Sequence, residues 1–170
     1  MIRKKKLYVR PKKLYERARI DEENVLKKRY ALKNKREIWK ASAKINYYRS
    51  RAKDLARLPI EEQKVLFNKL NALGIKVDSI ADVLALKIEN LLQRRLPSVI
   101  ARKGILKTPQ QARQMVVHKN VMIDNKVVNT PSYIVPIAEE NLISLRIKAK
   151  KPKPAPVQST ETANPAGETK

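Results

Sequence analysis

The sequence predicts an α+β fold: a basic helical domain followed by a small module of two helices on a short antiparallel sheet. A disordered basic arm precedes these parts and a disordered tail follows them. Three observations carry the expectation. Charge divides the chain, with net +15 over residues 1–57, −1 over 58–93 and +8 over 94–150. Apolar residues recur every three or four positions between Ile38 and Leu55, the spacing of one buried helical stripe. After Asn120 the apolar period drops to two, as in a strand. The boundaries expected are an arm at 1–20, a helical domain at 21–93, the module at 94–150 and a tail at 151–170.

The bulk composition narrows the function. The 170 residues hold 39 Lys+Arg against 16 Asp+Glu, a formal net charge of +23. Solubility is served by far smaller charges. An excess of this size raises affinity for a phosphate backbone through counterion release and steers association, so the expected partner is a polyanion, and structured RNA in particular. No run approaches 18 consecutive apolar residues, which argues against a membrane span. The start, Met1-Ile2-Arg3-Lys4-Lys5-Lys6, has basic residues without an apolar stretch after them and does not read as a secretory leader. There are no cysteines, hence no disulfide framework, thiolate zinc site or cysteine nucleophile; a reducing cytoplasm fits.

The first 13 residues carry Arg3, Lys4, Lys5, Lys6, Arg10, Lys12 and Lys13 with no acid, and should order only on phosphate. A first helix is expected to open near Asp21, where Asp21, Glu22 and Glu23 would complement the helix dipole; as a catalytic cluster these three carboxylates are not credible. Asn34 caps a longer helix reaching about Leu58, with Ile38, Ala41, Ile45, Tyr48, Ala52 and Leu55 on its buried stripe. Lys40, Lys44, Arg49, Arg51, Lys53 and Arg57 occupy the remaining surface. Tyr48 belongs to the core, while Trp39 and Tyr47 are open between core packing and stacking on bases or riboses.

Pro59 interrupts. A third helix from Ile60 to Leu73 carries Leu66, Phe67, Leu70 and Leu73 on one side, and Gly74 ends it. From Ser79 or Val83 onward one helix is expected through Leu84, Leu86, Ile88, Leu91 and Leu92. Arg94, Arg95, Arg102 and Lys103 lie on and just after a helix that Pro97 perturbs, unless Pro97 falls in the first turn of a new one. Gly104 breaks the chain. Thr108 then caps a helix with Pro109 at its first position and Gln111 placed to complete a capping box. Ala112, Met115 and Val116 form its apolar face; Gln111, Gln114 and His118 share another, with Arg113 beside them. Free N–H groups at this helix start favour a phosphate. Lys107-Thr108 lacks the preceding Gly of a nucleotide-triphosphate loop, so that site is rejected.

Val121 to Ile123 reads as a strand, Asp124-Asn125 as a tight turn, and Val127-Val128 as the return. Pro131 and Pro136 confine Ser132–Val135 to an edge or short strand. Leu142 to Ile147 is the last strand expected. Glu139 and Glu140 read as a solvated pair in a loop.

At this point a family resemblance emerges. Leu91-Leu92-Gln93-Arg94-Arg95-Leu96, Val99, Arg102, Gly104, Thr108, Ala112-Arg113-Gln114, Val116, His118-Lys119, Val127-Val128-Asn129 and Pro131-Ser132-Tyr133 resemble the S-four RNA-binding domain. With Leu32-Lys33-Asn34-Lys35-Arg36-Glu37-Ile38-Trp39-Lys40 and Asp82-Val83-Leu84-Ala85-Leu86-Lys87-Ile88-Glu89, the longer string is similar to the small-subunit ribosomal protein S-four family in its archaeal or eukaryotic-like form. The likeness runs from about residue 5 to 150. It departs from the family at Pro97, where many members have an acid or amide, and at Asp124-Asn125, where others have a glycine. The cysteine cluster for zinc in some bacterial members has no counterpart, so no metal or cofactor is expected.

The resemblance implies a primary ribosomal RNA binder of the small-subunit body, on the ribosome in the cytoplasm, acting early in assembly. It also implies contact with ribosomal protein S-five, a position near the path by which mRNA enters, an influence on decoding accuracy, and no self-association. RNA contacts are implied at Arg94, Arg95, Arg102, Lys103, Thr108, Arg113, Gln114, His118 and Lys119. Charge and position add Lys107 in the module, Lys4, Lys5, Lys6, Arg10 and Lys12 in the arm, and Lys40, Lys44, Arg49 and Arg51 on the long helix. His118, the sole histidine, reads either as a phosphate or ribose contact or as a satisfied side chain at the module's edge; no nucleophile or metal-ligand set surrounds it, and catalysis is not expected. A fragment of an RNA-modifying enzyme or tRNA synthetase would need catalytic motifs that residues 1–90 lack. A stand-alone RNA-binding factor acting on ribosomes or tRNA would not need the long N-terminal half. A DNA-packaging protein would resemble a dimeric groove binder, and this chain does not.

Overall fold

A computed structural model of the chain describes residues 6–146. The architecture is α+β, eight helices and three short strands among the described residues. Helix α1 (Arg17–Arg29) opens one turn earlier than Asp21. The acids Asp21, Glu22 and Glu23 therefore sit past its first turn and do not cap it. Its end turns on Ala31, which takes the left-handed conformation (φ 49°). The Leu32 N–H returns to the Lys27 carbonyl at 3.0 Å, a helix-ending geometry that usually recruits glycine.

Helix α2 (Lys35–Leu55) starts after Asn34, whose side chain makes no capping hydrogen bond, and stops three residues short of Leu58; it buries Ile38, Ala41, Ile45, Tyr48, Ala52 and Leu55, the stripe its spacing dictates. Helix α3 (Ile60–Ala72) buries Leu66 and Leu70. Gly74 closes it at φ 78°. A Cβ at Gly74 would stand 2.5 Å from the Arg94 Cζ, so both its backbone and its neighbour require glycine. The Asn71 amide then pins the following loop. Its Nδ2 donates to the Val77 carbonyl (3.1 Å) and its Oδ1 accepts from the Val77 N–H (2.9 Å).

The single helix expected from Ser79 through Leu92 is instead two. Helix α4 (Ile80–Ala85) starts at a full capping box between Ser79 and Asp82. Helix α5 (Ile88–Gln93) begins after Leu86 has turned extended (φ −54°, ψ 132°). Arg49 stabilises that break, its Nη2 donating to the Leu86 carbonyl at 2.6 Å. Leu86 is itself buried, so an unbroken apolar run conceals the kink. Together α2 to α5 enclose one core of Ile45, Tyr48, Ala52, Leu55, Leu66, Leu70, Ile75, Val77, Val83, Leu86 and Leu91.

Pro97 does not end a helix; it falls in the first turn of a new one, α6 (Leu96–Arg102), where a missing N–H costs nothing. Helix α7 (Pro109–Val117) packs on α6, and strands β1 (Val121–Ile123), β2 (Lys126–Val127) and β3 (Ile143–Leu145) form an antiparallel sheet of order β2-β1-β3. Val121 pairs with Leu145 and Met122 with Val127. The two-residue turn has φ 48° at Asp124 and φ 61° at Asn125, the type I′ geometry whose twist matches the strands. A second core, centred on Leu96, Val99, Ile100, Ala112, Val116, Val121 and Val135, joins α6 and α7 to the sheet.

Ser132–Val135 forms no strand of the sheet. Between Pro131 and Pro136 it makes an isolated bridge, Ile134 with Arg95, so this segment ties the module to the end of α5. Helix α8 (Ile137–Glu140) occupies the expected loop. Within the described residues no helix is long and apolar enough to cross a membrane. The expected ends, residues 1–5 with Lys4 and Lys5, Ile147, and the tail 151–170, lie outside the described residues.

Candidate nucleic-acid interface

Among the described residues expected to meet RNA, two cation-bearing faces remain open to solvent. The first belongs to α7 and its flanks. Thr108 Oγ1 accepts the Gln111 N–H at 3.2 Å, half of the expected box; the reciprocal bond from Gln111 is not formed. Ala112 and Val116 point inward with no exposed surface, which leaves Lys107, Gln110, Gln111, Gln114, Val117, His118 and Lys119 outward. Lys119 holds the left-handed position after the helix (φ 60°). There its N–H reaches the Val116 carbonyl, while Asn120 N–H reaches Met115, both at 3.0 Å. That turn aims the chain straight into β1 and its hairpin.

The second face is the outer side of α2. Lys40, Lys44, Tyr47 and Arg51 are spaced by four, three and four residues, so they share one stripe. All four are exposed; Tyr47 retains 63% of its surface. Partial loss of water around its ammonium, and then the Lys69 charge, lowers the pKa of Lys44 although the residue as a whole is exposed. Arg49, on the opposite side of α2 from this stripe, points to Leu86, and its guanidinium is a structural cap rather than part of the face. Lys6, Arg10 and Lys12 are exposed on the arm, which Arg19 anchors by donating to the Lys13 and Leu14 carbonyls at 2.9 and 3.0 Å.

Three arginines of the expected set are turned inward. Arg94 is 5% exposed and Arg95 6%. Arg94 Nη1 meets Glu140 Oε2 at 2.8 Å and its Nη2 donates to the Val135 carbonyl at 2.7 Å. Arg95 Nη2 meets Glu37 Oε2 at 2.6 Å and also donates to Ser132 Oγ. Arg113 grips the same carboxylate in bidentate fashion, at 2.8 and 3.1 Å, and donates to the Ala31 carbonyl. Burial alone would raise the Glu37 pKa, but the hydrogen bonds and charges of Arg113 and Arg95 outweigh it and hold the carboxyl below its ordinary value. Arg94 and Arg95 therefore offer a phosphate almost no surface, and Arg113 offers little.

Glu139 and Glu140 are no solvated pair. Glu140 bridges Arg94 and Arg102, the latter at 2.7 Å, and Lys103 donates to its carbonyl. The Arg94 hydrogen bond, followed by that of Arg102, overcomes burial and lowers its pKa. Glu139 accepts from the Tyr133 hydroxyl at 2.6 Å. Arg102 and Lys103 nonetheless keep exposed surface. Glu23 is likewise interior. It accepts from Arg19 (2.7 Å) and from the Trp39 indole (2.9 Å), with Lys35 at 3.4 Å. Burial raises its pKa, yet Trp39, Arg19 and Lys35 bring it below the usual range. Trp39, tilted against Tyr8 with centroids 5.9 Å apart, is thus a packing residue, and of the two aromatics left open by the sequence Tyr47 is the one that faces solvent.

Glu37 and Glu140 are the organising residues that sequence reasoning missed. The available signal was scarcity: residues 94–150 contain only three acids, and Glu37 stands alone between Lys33 and Lys53. A lone acid in so cationic a stretch has a ready partner wherever the chain folds back.

A family model described as S4 domain matches residues 94–141. The chain is 39% identical over 153 residues to the small ribosomal subunit protein uS4 of Methanocella arvoryzae, covering 82% of this chain and 75% of that protein. It is 41% identical over 133 residues to the uS4 of Methanococcus aeolicus, covering 74% and 75%. With the uS4 of Methanosphaerula palustris the identity is 38% over 149 residues, covering 81% and 82%.

Proposed function

The chain belongs to the uS4 family of small ribosomal subunit proteins, and from that premise we propose that it binds small-subunit ribosomal RNA early and nucleates assembly of the subunit body. It is a structural component of the small ribosomal subunit, not an enzyme. Its partners are the small-subunit RNA and neighbouring ribosomal proteins. We carry further, as part of the same reading, contact with ribosomal protein S-five, a place beside the incoming mRNA and a contribution to decoding accuracy.

The observation that carries the proposal is the pair of exposed cationic faces linked through Glu37, which joins α2 to the module through Arg95 and Arg113. Two faces so linked can hold RNA helices in a set relation, which is what nucleating a subunit requires. Phosphates are neutralised by Lys40, Lys44 and Arg51 on one face and by Lys103, Lys107 and Lys119 on the other, with Lys6, Arg10 and Lys12 of the arm. Thr108, Gln114 and His118 present polar groups to a groove, suiting recognition by shape and 2′-OH rather than duplex sequence. Arg94, Arg95 and Arg113 act from beneath by positioning these faces. The division into arm, helical domain, module and tail at residues 20, 93 and 150 follows the same reading.

The test is sucrose-gradient sedimentation of a lysate in high salt, with fractions probed for the protein. Near-stoichiometric presence in salt-washed small subunits is expected. Recovery only in light fractions, or on stalled large subunits, would favour a stand-alone RNA-binding factor and overturn the proposal.

A further inference from the structure

A cleft of about 160 Å³ opens where α2, α5 and the 132–134 segment meet, lined by Glu37, Lys40, Ala41, Lys44, Leu91, Leu92, Arg95, Ser132 and Ile134. Its walls divide by chemistry. Ala41, Leu91, Leu92 and Ile134 supply an apolar floor, and three of these four are buried. Lys40 and Lys44, both exposed, supply a cationic rim. Glu37 does not present an uncompensated negative charge, since both of its oxygens are held by Arg95 and Arg113.

From these features we propose that the cleft takes a single unpaired nucleobase of the bound RNA, with Lys40 and Lys44 holding its flanking phosphates. The inference rests on the RNA-binding reading above and deepens it. An apolar slot accepts the faces of any base, while phosphates at its mouth call for cations. The rim also continues into the exposed stripe through Tyr47 and Arg51, so a strand leaving the cleft meets an aromatic ring and a further cation in register. Loss of surrounding water and the Lys69 charge already disfavour the charged form of Lys44, a penalty that the negative charge of a neighbouring phosphate would offset.

Folded full-length protein is titrated with a transcript of small-subunit ribosomal RNA at several salt concentrations, and the complex is then cross-linked by ultraviolet light and mapped by peptide mass. Ser132 is exposed at the mouth, so Ser132→Trp plugs the cleft from outside; it removes the 3.3 Å acceptor Arg95 finds there but leaves the Arg95–Glu37 pair, and an unchanged Tm checks that the fold is kept. The expected result is a loss of affinity of roughly tenfold with the salt slope unchanged, and nucleotide adducts on residues 91–95 or 132–134. Lys40→Ala with Lys44→Ala should instead lower the salt slope by roughly 1.5. Full affinity of Ser132→Trp, together with adducts confined to other peptides, overturns the cleft while leaving RNA binding standing. Failure of the unaltered protein to bind the transcript would bring down the functional reading itself. Nucleoside monophosphates at millimolar concentration should not compete; competition would mean a site for a free nucleotide and would overturn the proposal.

Discussion

Arg95 and Lys44 line the same cleft, yet they do opposite work. The Arg95 side chain is buried against Glu37 and fastens the module to α2, whereas Lys44 faces solvent on the stripe offered to RNA. The contrast extends over two regions: a junction of arginines committed to carboxylates, and outer faces dominated by cations without carboxylate partners. Guanidinium suits the first, being planar, weakly hydrated and able to grip a carboxylate with two parallel bonds, as Arg113 does. Ammonium suits the second, a compact charge on a flexible stem that can follow a phosphate. A cation's role here is decided by whether the fold brings it an acid.

The comparison breaks most visibly at Glu37. Glu37→Ala leaves two mostly buried guanidiniums without their anion, which should cost about 3 kcal/mol and lower Tm by roughly 10 °C in a calorimetric scan. An unchanged Tm would mean that the junction does not hold the two halves together. Gly74→Ala strains the left-handed turn and pushes against the Arg94 guanidinium, and should cost about 2 kcal/mol. If it melts with the parent protein, Arg94 is not confined as described.

Acid tests the same region through titration. Glu23, Glu37 and Glu140 all titrate below their ordinary range in the fold. Their contribution is complete above the unfolded carboxylate value, about 4.3, and is lost as pH falls through their lowered folded values. Tm should hold between neutral pH and about 5 and drop below about 4, and Glu37→Gln should shrink that drop. An equal drop in both proteins would remove Glu37 from the linkage.

The outer face should show the least effect on stability. Lys40→Ala with Lys44→Ala and Arg51→Ala should leave Tm unchanged and lower the salt slope of RNA binding by roughly 2.4, at about 0.7 to 0.9 per lost phosphate contact. Arg95→Met should do the reverse, lowering Tm with the slope intact. Should the triple variant melt early, or Arg95→Met flatten the slope, the division between the two regions would be wrongly drawn.

What the sequence by itself determined is what local chemistry controls. The α2 stripe, the Gly74 stop, the Thr108 cap and the Asp124-Asn125 turn each depend on residues within about one or two turns of chain, and each stands where its pattern puts it. The likeness to the uS4 family was legible for the same reason, as ordered short motifs. Only the tertiary structure decided which cations face water. Glu37 meets Arg95 and Arg113 across 58 and 76 positions, and Arg94 meets Glu140 across 46; no periodicity reports a pairing over such distances. The kink at Leu86 was equally hidden, because a buried leucine looks the same in a helix or at its break. Burial and partnership belong to the folded surface, and a basic residue carries no mark of either until the chain has closed around it.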